Sequence, residues 1–331
     1  MTDPRVISMI RNAMKPYQKI GKPGETVVIV ADTNTDPIVW ETFASAARAT
    51  GLEACVALMV PALRDYSDPP LAVQQMAEAA DIIHFTTQMG LVHSQWGLKV
   101  TKLRKKRIIS EGITPEMFTE GAVLADEDVV RGWANKVQRV WEEGRALRLT
   151  SPYGTDLKVS IEGSFSFSPT GATSAAGGAE LFKAPFVQFP GGECATVPAE
   201  ASGDGVVMVD QAIHFPPGRL GRPIELRLDK GRIVDIRGGW EADEFRRWLE
   251  SFGDDNGGTL CEIAIGCNPE ARFMGNMRQD RFPLGGMHLG FGMNTDVGGR
   301  VESSIHYDVI LSQPSLTVDD RPIIQAGRMM I

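Results

Sequence analysis

Glu25-Thr-Val-Val-Ile-Val-Ala31 runs directly into Asp32-Thr-Asn-Thr-Asp-Pro37. An apolar, β-branched run without polar alternation reads as a strand buried on both faces. The Asp, Asn, Thr and Pro cluster after it is turn chemistry. A helical stretch follows over residues 38–49, with Gly51 placed to end it. Outward from this unit the pattern repeats. Residues 54–60 read as a strand, 72–80 as a helix, 81–86 as a strand, 92–103 as a helix and 107–110 as a strand. Residues 127–145 form a long amphipathic helix, apolar at every third or fourth position. Alternation of this kind predicts a parallel sheet with crossover helices. No G-x-G-x-x-G follows the first strand and no Walker A motif occurs, so the pattern is not evidence for a nucleotide.

The composition changes near residue 150. Residues 1–150 carry 18 Lys+Arg and 18 Asp+Glu, so the whole net charge of −8 falls in 151–331. Only 9 of the 35 glycines precede residue 151, and turns and bulges use glycine where helices resist it. The 331 residues suit two domains. The expectation is an α/β N-terminal domain with a parallel sheet (1–150), then a β-rich α+β C-terminal domain (151–331). In the latter, strands are expected at 157–161, 206–214, 223–228, 232–237, 259–265, 287–291, 304–311 and 315–318, with one helix at 241–252. Asp229-Lys-Gly231 makes a hairpin turn.

An acidic chain argues against a nucleic-acid partner. The basic run Lys102-Leu-Arg-Lys-Lys-Arg107 reads as a solvated helix end. No run reaches the length of a membrane span and no signal peptide is visible. With Cys55, Cys194, Cys261 and Cys267 expected as free thiols, the expected compartment is the cytoplasm. Phe245, Trp248 and Leu249 share a helix face expected in the core. Residues 164–178, rich in Ser, Gly, Ala and Thr, read as a loop over the site.

Chemistry concentrates late in the chain. His306-Tyr-Asp308 puts an imidazole and a carboxylate on one strand face, where both can ligate a divalent metal. His288 stands among glycines in Gly285-Gly-Met-His-Leu-Gly-Phe-Gly292. Glu262 interrupts an apolar strand, where alternation sends it to solvent or a cation must accompany it inward. Pro190-Gly-Gly192 sets a tight turn that presents Glu193. The five together suit one or two divalent ions: zinc, cobalt, manganese or iron.

In this order the motifs resemble the leucyl aminopeptidase family typified by aminopeptidase T. The C-terminal region is also similar to a relative, 2,5-dihydroxypyridine 5,6-dioxygenase, through Asn294-Thr-Asp-Val-Gly-Gly299 followed by His306-Tyr-Asp308. In the first domain the likeness is confined to the α/β pattern and Leu91-Val-His93-Ser94. The peptidase resemblance implies two clustered metals, with Glu193, Glu262, His288, His306 and Asp308 as ligands. Where the peptidases carry a tyrosine, this chain has Thr295. The dioxygenase resemblance implies one Fe(II) in a facial triad, but with a histidine at the position of Glu262 and no ligand at that of His288. The leading expectation is a metal-dependent hydrolase acting on an amide-type bond of a small molecule or peptide, by metal-activated water. Glu193 or Glu262 would be the base, and His93, Asn294 and Thr295 would contact substrate. The alternatives are a mononuclear Fe(II) ring-cleaving dioxygenase and a non-enzymatic binding protein. The resemblance also implies a homodimer or larger assembly.

Overall fold

Val27 and Ile29 enter one apolar cluster, and Val28 and Val30 enter another. The strand Thr26–Asp32 is therefore buried on both faces, as its composition predicts. In this computed structural model, residues 4–61, 64–88, 90–168 and 184–331 are described. Five strands form an all-parallel sheet in the order Glu53–Met59, Thr26–Asp32, Ile82–Phe85, Lys106–Ile109, Phe186–Gln188. Helices Pro4–Ile20 and Pro37–Ala49 cover one face through Met9, Ala13, Tyr17, Val39 and Phe43. Helices Leu71–Ala79 and Gln95–Lys102 cover the other through Ala77, Trp96 and Val100. Side chains cap two of these helices, and the one expected over 92–103 begins at Gln95. Asp36 accepts from the Ile38 amide and Ser94 from that of Gly97, each worth about 1 kcal/mol.

The chain divides into two units, and the division differs from a single boundary at 150. The first unit holds the described residues up to Leu124 together with 184–191; the second holds those of 125–168 and 192–331. The helix Glu127–Glu143 falls in the second unit because Val130, Ala134, Val137 and Trp141 are buried there, and the Trp141 indole donates to the Cys194 carbonyl at 3.2 Å. The fifth parallel strand comes from a return of the chain 77 positions after Ile109.

In the second unit an eight-stranded antiparallel sheet runs in the order Arg232–Arg237, Ile224–Asp229, Asp204–Val209, Asp156–Ser160, Ala146–Thr150, Ser315–Val318, Arg321–Gln325, Arg328–Met329. A six-stranded antiparallel sheet has the order Ala212–Ile213, His306–Leu311, Met287–Gly292, Leu260–Gly266, Glu193–Thr196, Ser166–Phe167. Its four central strands are buried at every residue. On one face Tyr307 stacks on Phe291 (5.6 Å between rings) and meets Phe245 and Trp248 of the helix Trp240–Glu250. Of that expected core face Phe245 is buried, while Trp248 and Leu249 are half-buried.

The basic run is a solvated helix end through Lys102 and Arg104, which are exposed, but not beyond them. Arg107 is wholly buried over the Phe186 ring, Lys106 pairs with Glu25 at 2.6 Å, and Lys105 donates to the Ala80 carbonyl. The expected loop over 164–178 lies largely outside the described residues, apart from the strand Ser166–Phe167. All four cysteines are free. No helix among the described residues is long and apolar enough to cross a membrane.

Candidate metal centre

Strand parity brings the acids and histidines together. Glu262 is level with Gly290, and Gly290 with Asp308; His288 lies beside Ala264, His306 beside Gly292, and Glu193 beside Gly266. All five chemical side chains therefore share one sheet face, separated by glycine and alanine. A bulge at Cys261 makes this possible. Leu260 pairs with Phe291 but Glu262 with Gly290, so the extra residue turns Glu262 onto the polar face.

The five are at most 8% exposed. His288 Nε2 stands 3.3 Å from Glu262 Oε1 and 3.7 Å from Glu193 Oε2. His306 Nε2 stands 3.8 Å from Glu262 Oε2 and 3.5 Å from Asp308 Oδ1. Thus the inward reading of Glu262 holds, and it has cationic or imidazole company. The His306 ring is oriented from behind: its Nδ1 lies 2.7 Å from the Met293 carbonyl, which can only accept, so that nitrogen carries the proton and Nε2 faces the acids. The Cys261 sulfur lies 3.7 Å from the same Nδ1.

Arg281 completes the cluster. It follows the short helix Met277–Asp280, donates from Nη1 to Asp308 Oδ2 at 2.9 Å, and lies 3.9 Å through Nε from Glu193 Oε2. No pattern in the sequence singled it out. Burial opposes the charge on His288, but Asp308, Glu262 and Glu193 together raise its pKa above the usual imidazole value. Burial likewise opposes charge on His306, and the Cys261 sulfur and Asp308 more than offset it. Burial pushes Asp308 up, while Arg281, His288 and His306 hold it well below the carboxylate range.

The residues fit a divalent cation. Glu193 Oε2 and Asp308 Oδ1 are buried acceptors without a hydrogen-bond donor. A Cβ on Gly290 would stand 2.8 Å from the Glu262 Cβ and 3.2 Å from His306 Cε1, so the glycine preserves room between the donors. The donor pairs lie 3.3–3.8 Å apart. Bonds of about 2.1 Å at tetrahedral angles put ligand atoms about 3.4 Å apart. Among the described residues no three such side chains yet close on one point.

The other expected site residues fall elsewhere. Asn294 is buried with its amide tying its loop to the neighbouring strand: Nδ2 donates to the Cys261 carbonyl and Oδ1 accepts from the Val301 amide. Thr295 is half-buried on that loop, its carbonyl accepting from Gly298. His93 belongs to the first unit, in the turn before the helix Gln95–Lys102.

Comparison with known proteins bears on the chemistry. A curated relative, 2,5-dihydroxypyridine 5,6-dioxygenase of Pseudomonas putida, is 25% identical over 268 residues, covering 78% of this chain and 73% of its own length. The solved structure of 2,5-dihydroxypyridine dioxygenase from Pseudomonas putida matches with a TM-score of 0.77 and 21% identity, over 100% of this chain and 98% of its own. Aminopeptidase T of Thermus thermophilus matches with a TM-score of 0.69 and 18% identity, over 98% of this chain and 99% of its own, which is a likeness of fold. These findings overturn the expectation of amide hydrolysis, because a shared donor set does not specify a reaction and the matching family model is that of a dioxygenase. That model, for 2,5-dihydroxypyridine 5,6-dioxygenase, spans residues 17–331, and the chain belongs to this family.

Proposed function

We propose that this protein is a metal-dependent dioxygenase that opens the ring of a small dihydroxylated N-heterocycle of the 2,5-dihydroxypyridine kind. The observation that carries the reading is the buried convergence of His306 and Asp308 with Glu262 and His288, in a chain matched by the dioxygenase family model from residue 17 to 331. His306, Asp308 and one of Glu262 or His288 would hold iron(II), a mixed imidazole and carboxylate donor set that suits this ion. Iron(II), when bound, supplies the redox chemistry of dioxygen and an anchor for a substrate oxygen.

The protein's own groups do the rest. The Met293 carbonyl fixes the His306 tautomer and keeps its Nε2 lone pair toward the site. Arg281 holds Asp308 by Oδ2 and leaves Oδ1 on the His306 side. Glu193 Oε2, buried and without a hydrogen-bond donor, is the acceptor for a proton from a substrate hydroxyl. Gly290 leaves space in front of these groups, and burial keeps the polar face from bulk water.

The test is oxygen uptake by protein loaded anaerobically with iron(II), given a panel of dihydroxypyridines and simple peptide amides. The expected result is one O₂ consumed per ring lost, with 2,5-dihydroxypyridine among the substrates. Uptake no greater than that of His306→Ala with every ring would contradict the proposal.

A further inference from the structure

The carboxylates divide between two neighbourhoods. Asp308 Oδ1 faces His306, and its other oxygen is held by Arg281. Glu193 Oε2 lies between His288 Nε2, at 3.7 Å, and Arg281 Nε, at 3.9 Å. A carboxylate with one oxygen in each neighbourhood is the arrangement that bridges two cations. On Asp308 one of the two positions is taken by a guanidinium, whereas Glu262 turns Oε1 to His288 and Oε2 to His306. That guanidinium is 15% exposed, keeps its charge at any working pH, and cannot be exchanged for solvent.

Charge balance gives the same result independently. Glu193, Glu262 and Asp308 bring three buried negative charges, and Arg281 offsets one. The remaining −2 is neutralised by a single divalent ion. Without Arg281 a single divalent ion would leave −1 buried and unpaired, which is costly and favours entry of a second.

We propose that Arg281 is a positioning residue that takes the place of a second metal and so restricts this site to one divalent ion. The inference deepens the metal-site reading above and rests on it. It predicts the number of ions, whereas the function proposed predicts the reaction.

The probe is Mn²⁺ alone, counted by mass spectrometry after removal of free ion and examined by electron paramagnetic resonance. Wild type is expected to hold one equivalent with the signal of an isolated ion. Arg281→Met, which removes the charge without adding a donor, is expected to reach two equivalents with exchange-coupled spins. Arg281→Lys is expected to stay at one. Two equivalents, or none, in wild type would overturn the proposal. So would a single equivalent in an Arg281→Met protein whose circular dichroism shows it folded. If that variant does not fold, wild type and Arg281→Lys still decide, because two equivalents in either defeats the assignment. One Mn²⁺ in wild type without oxygen uptake on any ring would remove the function proposed and leave the role of Arg281 standing.

Discussion

His84 and His288 are both wholly buried on strands, one in each unit, and their surroundings drive them in opposite directions. His84 sits against the rings of Tyr17 and Phe43, with Tyr17 Oη 2.7 Å from Nδ1 and Ser110 Oγ 3.0 Å from Nε2. No ion pair of His84 occurs among the described residues, and burial lowers its pKa to about 3. It is a neutral, hydrogen-bonded core residue. His288 has three carboxylates around it and is pushed the other way. Burial alone therefore does not set the charge state of a histidine; the charge of the neighbours does. The same contrast separates the sheets. The parallel sheet packs an apolar cluster on each face, while the six-stranded antiparallel sheet carries its charges on one face and aromatic packing on the other.

The contrast breaks most sharply under substitution. His306→Ala should lose bound metal and ring-dependent oxygen uptake together, by more than the roughly 10–100-fold that loss of a supporting partner costs. His84→Gln should keep both, and metal analysis with oxygen uptake on the two variants checks this. Second in size, Phe43→Ala should cost about 3–5 kcal/mol of stability by denaturant titration, with metal stoichiometry unchanged. Third, Gly290→Ala should cost about 1–3 kcal/mol through its approach to the Glu262 Cβ. Unlike Phe43→Ala, it should also weaken Mn²⁺ binding, as titration calorimetry would show.

The smallest effect is that of pH on the metal-free protein. Asp308 is held low, so its contribution is present above the usual carboxylate range and is lost as pH falls. His288 and His306 are raised, so theirs is full below about 6.5 and fades as pH climbs through their raised values. Thermal midpoints without metal should decline on the alkaline side. Mn²⁺ should reverse that arm, since ligation needs unprotonated imidazoles. Midpoints that do not decline without metal, or that metal does not raise, would contradict the account of the cluster.

The parallel strands were legible because β-branched runs bounded by turn residues have few other solutions. Glu193, Glu262, His288, His306 and Asp308 were legible as unusual donors among glycines. Arg281 was not, since an arginine after a four-residue helix has no local mark and its meaning comes from strands far along the chain. Nor was the bulge at Cys261, which decides where Glu262 points, because bulges leave composition unchanged. The three-residue strand Phe186–Gln188 is too short to show periodicity. The hydrogen bonds of Asn294 were not legible, because a polar side chain in a glycine loop looks the same whether it holds substrate or the loop. The reaction was misjudged for a related reason: carboxylates and imidazoles serve hydrolysis and oxygen chemistry with the same atoms.

The central claim is that the polar face of the six-stranded sheet is a one-metal site. The most direct measurement is an anomalous difference map from crystals grown with Mn²⁺. A single peak is expected within bonding distance of His306 Nε2 and Asp308, with Arg281 still on the far oxygen of Asp308. Two peaks in the cluster, or none there with Mn²⁺ bound elsewhere, would contradict it.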